Sequence, residues 1–444
     1  MLKRLDGKDD MTGAEIAIRD AEFPVPFASG LEYNAPARGP WNIVHTGMLM
    51  PESHQVFACA QGCLRGVILT AAEMVAMDRM SWISVDRNDL FDGSLERNIV
   101  EGTADILRKL PRKPRAVLLF LSCVHLFAGC DFDAIIAELR AMFPDVVFVD
   151  CYMNPTMRKS GLTPDQLMRR QLYAPLMPCP SEPKTANLIG NDRPTDDTSE
   201  LAQLVRGAGW KLRDITACGT FDEYLAMAKS SLEITYLPTA AAAGDALERR
   251  LGRKHLYLPL SYDFDEIARN LAKLAGALGI EAPDWTDAKQ NAVRALEHAR
   301  EVVGDFSVEI DYTATPRPVG LALLLAEHGF RVTRVYTDAM IEEERPAFER
   351  LRALAPELLL TATVHAKMRF AGKGVHEHGP VLAIGQKAAY FSGTRHFVNI
   401  VAGGGMYGFD GIARLAALIE EAAMHEKDTE NVIQHKGLGC RSCL

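Results

Sequence analysis

AVLLFLSCVHLFAGCDFDAIIAELRAMFPDVVFVD, residues 116–150, decides the fold. Residues 116–121 form an apolar run after Pro114 and read as a buried strand. Residues 133–142 then place Ile135, Ile136, Leu139 and Met142 on one helical face. Past Pro144, residues 146–149 are apolar again and read as a second strand. Two strands with no polar alternation, joined by an amphipathic helix, predict parallel strands covered on both faces.

The pattern extends in both directions. Upstream, residues 95–110 predict a helix with Ile99, Val100, Thr103, Ile106, Leu107 and Leu110 on one face, and residues 64–77 a helix after a turn at Gly62. Downstream, residues 178–183 read as a linker into a second block with strands at 186–189, 212–216 and 234–237 and helices at 199–207 and 221–229. A third block has strands at 306–310, 332–336 and 358–361 and helices at 288–303, 318–328 and 341–354. The expected fold class is α/β, with three Rossmann-like, doubly wound domains built on parallel sheets. A polar leader covers residues 1–39, the domains cover 40–180, 181–287 and 288–444, and the last includes a C-terminal tail.

At 444 residues the chain is long enough for several cores. A charged fraction of 24% and a net charge of −9 give no footprint for nucleic acid. The apolar runs at 116–121 and 319–326 are too short to span a bilayer. The charged N-terminus lacks an apolar signal region, so a cytoplasmic location is expected. Nine cysteines in such a chain read as thiols or metal ligands rather than as a disulfide framework.

Cys123 ends the first strand of the deciding stretch, where ligands of open parallel sheets sit. It also reads as a buried small hydrophobe, and position alone does not choose. In ACAQGCLRG, residues 58–66, Cys63 follows Gly62 at a helix start, where exposed amides and the helix dipole favour thiolate, and Cys59 lies four residues earlier. The tail GLGCRSC offers Cys440 and Cys443, as metal ligands or as a solvated end. The glycines of VAGGGMYGFDG, residues 401–411, form a loop ahead of a helix, suited to approach a cluster or anion through backbone amides and equally readable as an ordinary loop. His125, two residues after Cys123, is a candidate for substrate contact or proton donation; His45, His376, His378 and His396 rank below it. No P-loop and no Ser-His-Asp arrangement stands out.

At these residues the chain resembles component 1 of nitrogenase and its relatives, including protochlorophyllide and chlorophyllide reductases and the nickel-sirohydrochlorin diamide reductive cyclase. The likeness rests on the Gly62-Cys63 pair ahead of a helix and on a Cys-x5-Gly-x-Asp pattern at Cys123, Gly129 and Asp131. CGTFDEYLAMAKSSLEITYLP and YGFDGIARLA, in the second and third blocks, add to it. The resemblance implies that Cys63 and Cys123 hold an iron–sulfur cluster, [4Fe–4S] in type, at a subunit interface. The family often has a further cysteine some twenty-five residues before the Gly-Cys pair; here Arg38 and His45 lie in that region, and Cys59 is a possible substitute. It implies an ATP-hydrolysing iron–sulfur reductase as electron donor and a homodimer or a heterotetramer with a similar subunit. A small-molecule substrate would be reduced, with His125, Asp131 or Tyr407 as proton donors. EITYLPTAAA carries no cysteine and Tyr407 or a neighbour stands in the place of a histidine, which argues against dinitrogen reduction by this chain alone. A non-catalytic scaffold or partner subunit for metallocluster assembly would use the same fold, and a metal-free Rossmann-type binding protein is a third reading.

Overall fold

The computed structural model describes residues 13–27, 43–91, 93–154, 161–369, 371, 373–375 and 379–429. It divides into two compact units: residues 43–194 with 209–258, and residues 13–27 and 195–208 with 259–429.

The first unit contains two four-stranded sheets, all parallel. In the first, the order is Met80–Val85, Ser53–Ala60, Ala116–Ser122, Val147–Met153. The two central strands are buried almost throughout, and Phe57 stacks on Phe120 with ring centroids 4.2 Å apart. The chain starts this sheet at Ser53–Ala60, adds Met80–Val85 on one side, then crosses to Ala116–Ser122 on the other. That reversal is the switch point at which doubly wound sheets open a crevice.

The second sheet repeats the order with Lys211–Asp214, Thr185–Leu188, Leu232–Thr235 and Lys254–Tyr257. A shared core joins the two sheets, with Phe57, Met168, Tyr173, Ile215, Tyr224 and Leu247 among its buried members. The helix Pro164–Leu172 is tied to the second sheet by Arg169, whose guanidinium donates to the Gly190 carbonyl and pairs with Asp192, a carboxylate that also accepts from Thr46 Oγ1 at 3.0 Å.

The other unit holds the third sheet, in the order Glu15–Ala17, Leu359–Thr361, Arg331–Tyr336, Ser307–Asp311, Val381–Ile384, Phe397–Val398. Five strands are parallel, and Glu15–Ala17, from the stretch read as a polar leader, adds an antiparallel edge. The helix Glu200–Gly207 lies in sequence between strands of the second sheet yet belongs to this unit, beside Phe264–Leu278 and Gly408–Met424.

The doubly wound parallel architecture agrees with the expected fold class, and two local differences have physical causes. Ser53–Ala60 does not read as a strand because its first residues are Ser53, His54 and Gln55. Each is buried with a partner: Ser53 Oγ donates to Met50 O at 2.7 Å, His54 Nε2 lies 2.9 Å from Ser81 Oγ, and Gln55 Nε2 donates to Val44 O at 2.9 Å. The helix expected over 64–77 spans Gln61–Glu73, because Val75 takes φ 54° and turns the chain out of it.

Candidate functional site

Three switch points are possible in three such sheets, and the chain's own groups fill two of them. At the second, Gly190 donates its N–H to Tyr173 Oη at 2.8 Å and receives Arg169 on its carbonyl; a Cβ there would lie 2.4 Å from that of Ala240. At the third, buried Asp311 accepts from the Thr313 N–H at 2.7 Å and the Ala388 N–H at 2.8 Å, with Gly385, at φ 106°, leaving it room. The first switch point presents thiols instead.

Cys59 is the penultimate residue of Ser53–Ala60, and Cys63 lies in the first turn of Gln61–Glu73. Cys123 opens the helix Cys123–Ala128, directly after the neighbouring strand Ala116–Ser122. The parallel pairing, with Ala58 opposite Leu121, brings the ends of both strands to the same edge. Cys59 lies within electrostatic reach of Cys63 and Cys123, and Cys63 within reach of Cys123. Burial pushes the Cys59 thiol up to about 12, and potential thiolates at Cys63 and Cys123 push the same way. Cys63 is raised by burial and then by Cys123, so burial outweighs the helix-start effect that favours its thiolate. Cys59 is fully buried, whereas Cys63 and Cys123 are half-buried.

Beside them, Leu126 and Phe127 stand in solvent, with Phe127 74% exposed. His125 is buried, and its Nδ1 lies 3.1 Å from the Ser122 N and 3.3 Å from the Ser122 carbonyl oxygen. Nε2 has no hydrogen-bond partner among the described residues, and burial lowers the ring's pKa. Asp131 is the N-cap of Phe132–Met142 and accepts from the Ala134 N–H at 2.9 Å. Tyr407 is buried at the start of Gly408–Met424 in the other unit. Cys440, Cys443, Arg38, His376 and His378 lie outside the described residues. His396 donates from Nδ1 to Ala422 O at 2.9 Å, and His45 is buried in Ile43–Met48.

The glycine loop before Gly408–Met424 meets a carboxylate from its own chain. Glu200 Oε1 accepts from the Asp410 N–H at 2.9 Å, and burial raises its pKa against the pull of the backbone donors. Gly408 has φ 80°, and a Cβ there would lie 2.1 Å from Glu200 Oε2. Gly408→Ala is therefore expected to lower stability by about 1–3 kcal/mol, measured by urea unfolding; an unchanged midpoint would show that the loop yields freely.

A cleft of about 750 Å³ also lies on the first unit, lined by Glu52, His54, Arg79, Lys113 and Cys218. It opens at the amino-terminal ends of the first sheet's strands, where Arg79 is spent on the Met50 and Ser53 carbonyls. Ligands of such sheets bind at the carboxyl ends, so the thiol edge is the stronger candidate.

The sequence matches the family described as nitrogenase component 1 type oxidoreductase over residues 47–424. The chain belongs to that family. Its members are oxidoreductases that bind iron–sulfur clusters and work with a reductase partner. Among solved structures, the component 1 type chain is similar to nitrogenase Cp1 at pH 6.5, with a TM-score of 0.67 and 14% identity over 89% of this chain and 94% of that one. It is also similar to nitrogenase Cp1 at pH 5, with a TM-score of 0.58 and 10% identity over 95% and 96%. No curated protein matches it. Among the described residues, no helix of this component 1 type chain is long and apolar enough to cross a membrane.

The segment EITYLP, in which the resemblance places a cofactor strand, has no cysteine and holds a buried ionisable group. Glu233 is fully buried in Leu232–Thr235; it accepts from Asn187 Nδ2 at 2.9 Å, and burial raises its pKa from 4.5 to about 8. Because the folded chain keeps a proton that the unfolded chain releases, this carboxyl's contribution falls as pH rises from about 4.5 to about 8. At ~1.4 kcal/mol per pKa unit the loss is on the order of a few kcal/mol. Glu233→Gln is expected to flatten the decline in unfolding midpoint between pH 5 and pH 8, and parallel pH curves for the two proteins would refute this.

Proposed function

We propose that this chain is a cytoplasmic oxidoreductase subunit that takes electrons from an ATP-dependent iron–sulfur reductase through a [4Fe–4S] cluster shared with a second subunit. It then reduces a bound small molecule other than dinitrogen. The observation that supports this best is the group of three thiols at the switch point of the first sheet.

The donor set fits the group. Soft thiolates hold iron, and Cys63 and Cys123, half-buried at the strand ends, are the pair placed to supply them, with fully buried Cys59 behind as the possible third. A cluster bound there supplies one-electron transfer. Two ligands from this chain leave two for another subunit, and the uncovered Phe127 and Leu126 next to Cys123 are the apolar surface such a neighbour would cover. Whether that neighbour is a second copy or a similar subunit is the difference between a homodimer and a heterotetramer.

Proton delivery falls to this chain's own groups. Asp131 is committed to its helix, and His125, two residues after Cys123, is the candidate within the same unit as the thiols. Burial disfavours its charged form, and its Nε2 has no hydrogen-bond partner among the described residues.

The reading is tested by mixing the anaerobically purified chain with a purified ATP-dependent iron–sulfur reductase and following the cluster's paramagnetic resonance signal. Reduction that requires ATP and leaves the cluster in place supports the oxidoreductase. Departure of the cluster to an apo-acceptor, with no reduction, would replace it with the scaffold.

A further inference from the structure

The free edge of the second sheet carries a second constellation, independent of the cysteines. The helix Ala241–Leu251 ends at Gly252, with φ 66°, and the chain returns as the edge strand Lys254–Tyr257. Asp245 and Glu248, three residues apart on the helix, share a face, and the strand brings His255 to it. One ligand atom from each of Asp245, Glu248 and His255 lies within 4.8 Å of the other two.

His255 is held from behind. Its Nε2 is 2.7 Å from the buried hydroxyl of Thr235, and its Nδ1 is 2.8 Å from Asp245 Oδ1. Nδ1 donates to the Asp245 carboxylate here, and the Thr235 hydroxyl, which can donate to Nε2 or accept from it, allows that Nδ1 proton to give way to a cation. The ring occupies a slot that residue 244 provides by having no side chain: a Cβ on Gly244 would lie 2.2 Å from His255 Nε2.

An ordinary ion pair would need Asp245 alone. Glu248 adds a second negative charge at the same point, and its carboxylate has no hydrogen-bond or ion-pair partner among the described residues. A cation held by both carboxylates and the imidazole would offset the carboxylates' mutual repulsion. We infer that Asp245, Glu248 and His255 form a binding site for one divalent transition cation of the zinc or cobalt class. Asp245 and Glu248 are exposed, so water completes the coordination on the outer side.

Cobalt(II) titration of the full chain, followed by visible absorption, tests the site, because cobalt bound to cysteine shows sulfur-to-metal charge transfer and cobalt bound to nitrogen and oxygen does not. The expected result is one equivalent without the charge-transfer band, displaced by zinc, with affinity at least tenfold weaker in His255→Ala and in the Asp245→Asn, Glu248→Gln double variant. The double variant lies on an exposed helix face and decides the matter if His255→Ala fails to fold. Cobalt bound solely with the charge-transfer band, no binding at all, or unchanged affinity in a folded variant of either kind overturns the assignment.

Discussion

Anaerobically purified Cys63→Ala and Cys123→Ser proteins are each expected to lose most of their iron and acid-labile sulfide, with electron uptake from the reductase falling at least roughly tenfold. The effect is large because a four-iron cluster takes one thiolate per iron, and the proposal gives this chain only two outward positions from which to supply them. A serine at position 123 preserves the start of Cys123–Ala128, so the loss there reports ligand chemistry rather than helix structure. Cys59→Ala is expected to lose less iron. That thiol is fully buried in the core shared by the two sheets, and burial already holds it protonated with a pKa of about 12. Iron and sulfide analysis of the three variants beside wild type checks the order. Full iron content in both Cys63→Ala and Cys123→Ser would refute the assignment.

The second large effect is on stability. Arg169 is 2% exposed and faces Asp165 and Asp192, with the Gly190 carbonyl as a further acceptor. Arg169→Ala leaves two carboxylates with no cation in a buried place, and removing one partner of a buried ion pair typically costs ~3–5 kcal/mol. The variant is expected to unfold at much lower urea concentration or to accumulate as insoluble protein. Adding Asp192→Asn should recover part of the loss, since it removes the stranded charge that Arg169→Ala creates. A single variant as stable as wild type would show that the second switch point does not depend on this pair.

The fold was legible where strands are buried and apolar. Residues 116–121 and 146–149 have no polar residue to interrupt the pattern; the first run lies in the strand Ala116–Ser122, and the second, except for Val146, in Val147–Met153. It was not legible at Ser53–Ala60, because burial of its polar first residues is compensated by specific partners, for His54 and Gln55 from outside the strand, which periodicity cannot register. Short edges such as Phe397–Val398, two residues long, are below what any pattern resolves.

The candidate site divides in the same way. Cys123 at a strand end and Cys63 at a helix start are local features, visible in sequence. That both lie at one edge of the sheet depends on Met80–Val85 and Ala116–Ser122 taking opposite sides of Ser53–Ala60, a matter of sheet order. Asp131 shows the reverse hazard: read as an acid beside a cysteine, it sits three residues before Ala134, the spacing of an N-cap, and caps the helix. His255, Asp245 and Glu248 carry no familiar motif, because a helix and the strand after it supply the ligands and only the turn at Gly252 brings them together.

The most direct test of the shared-cluster account is iron stoichiometry against assembly mass, measured anaerobically on the same size-exclusion peak. The account predicts about four irons for each pair of subunits, with the pair separating when the cluster is stripped by a chelator. Four irons on a single isolated chain, or a stable pair with no iron, would contradict it.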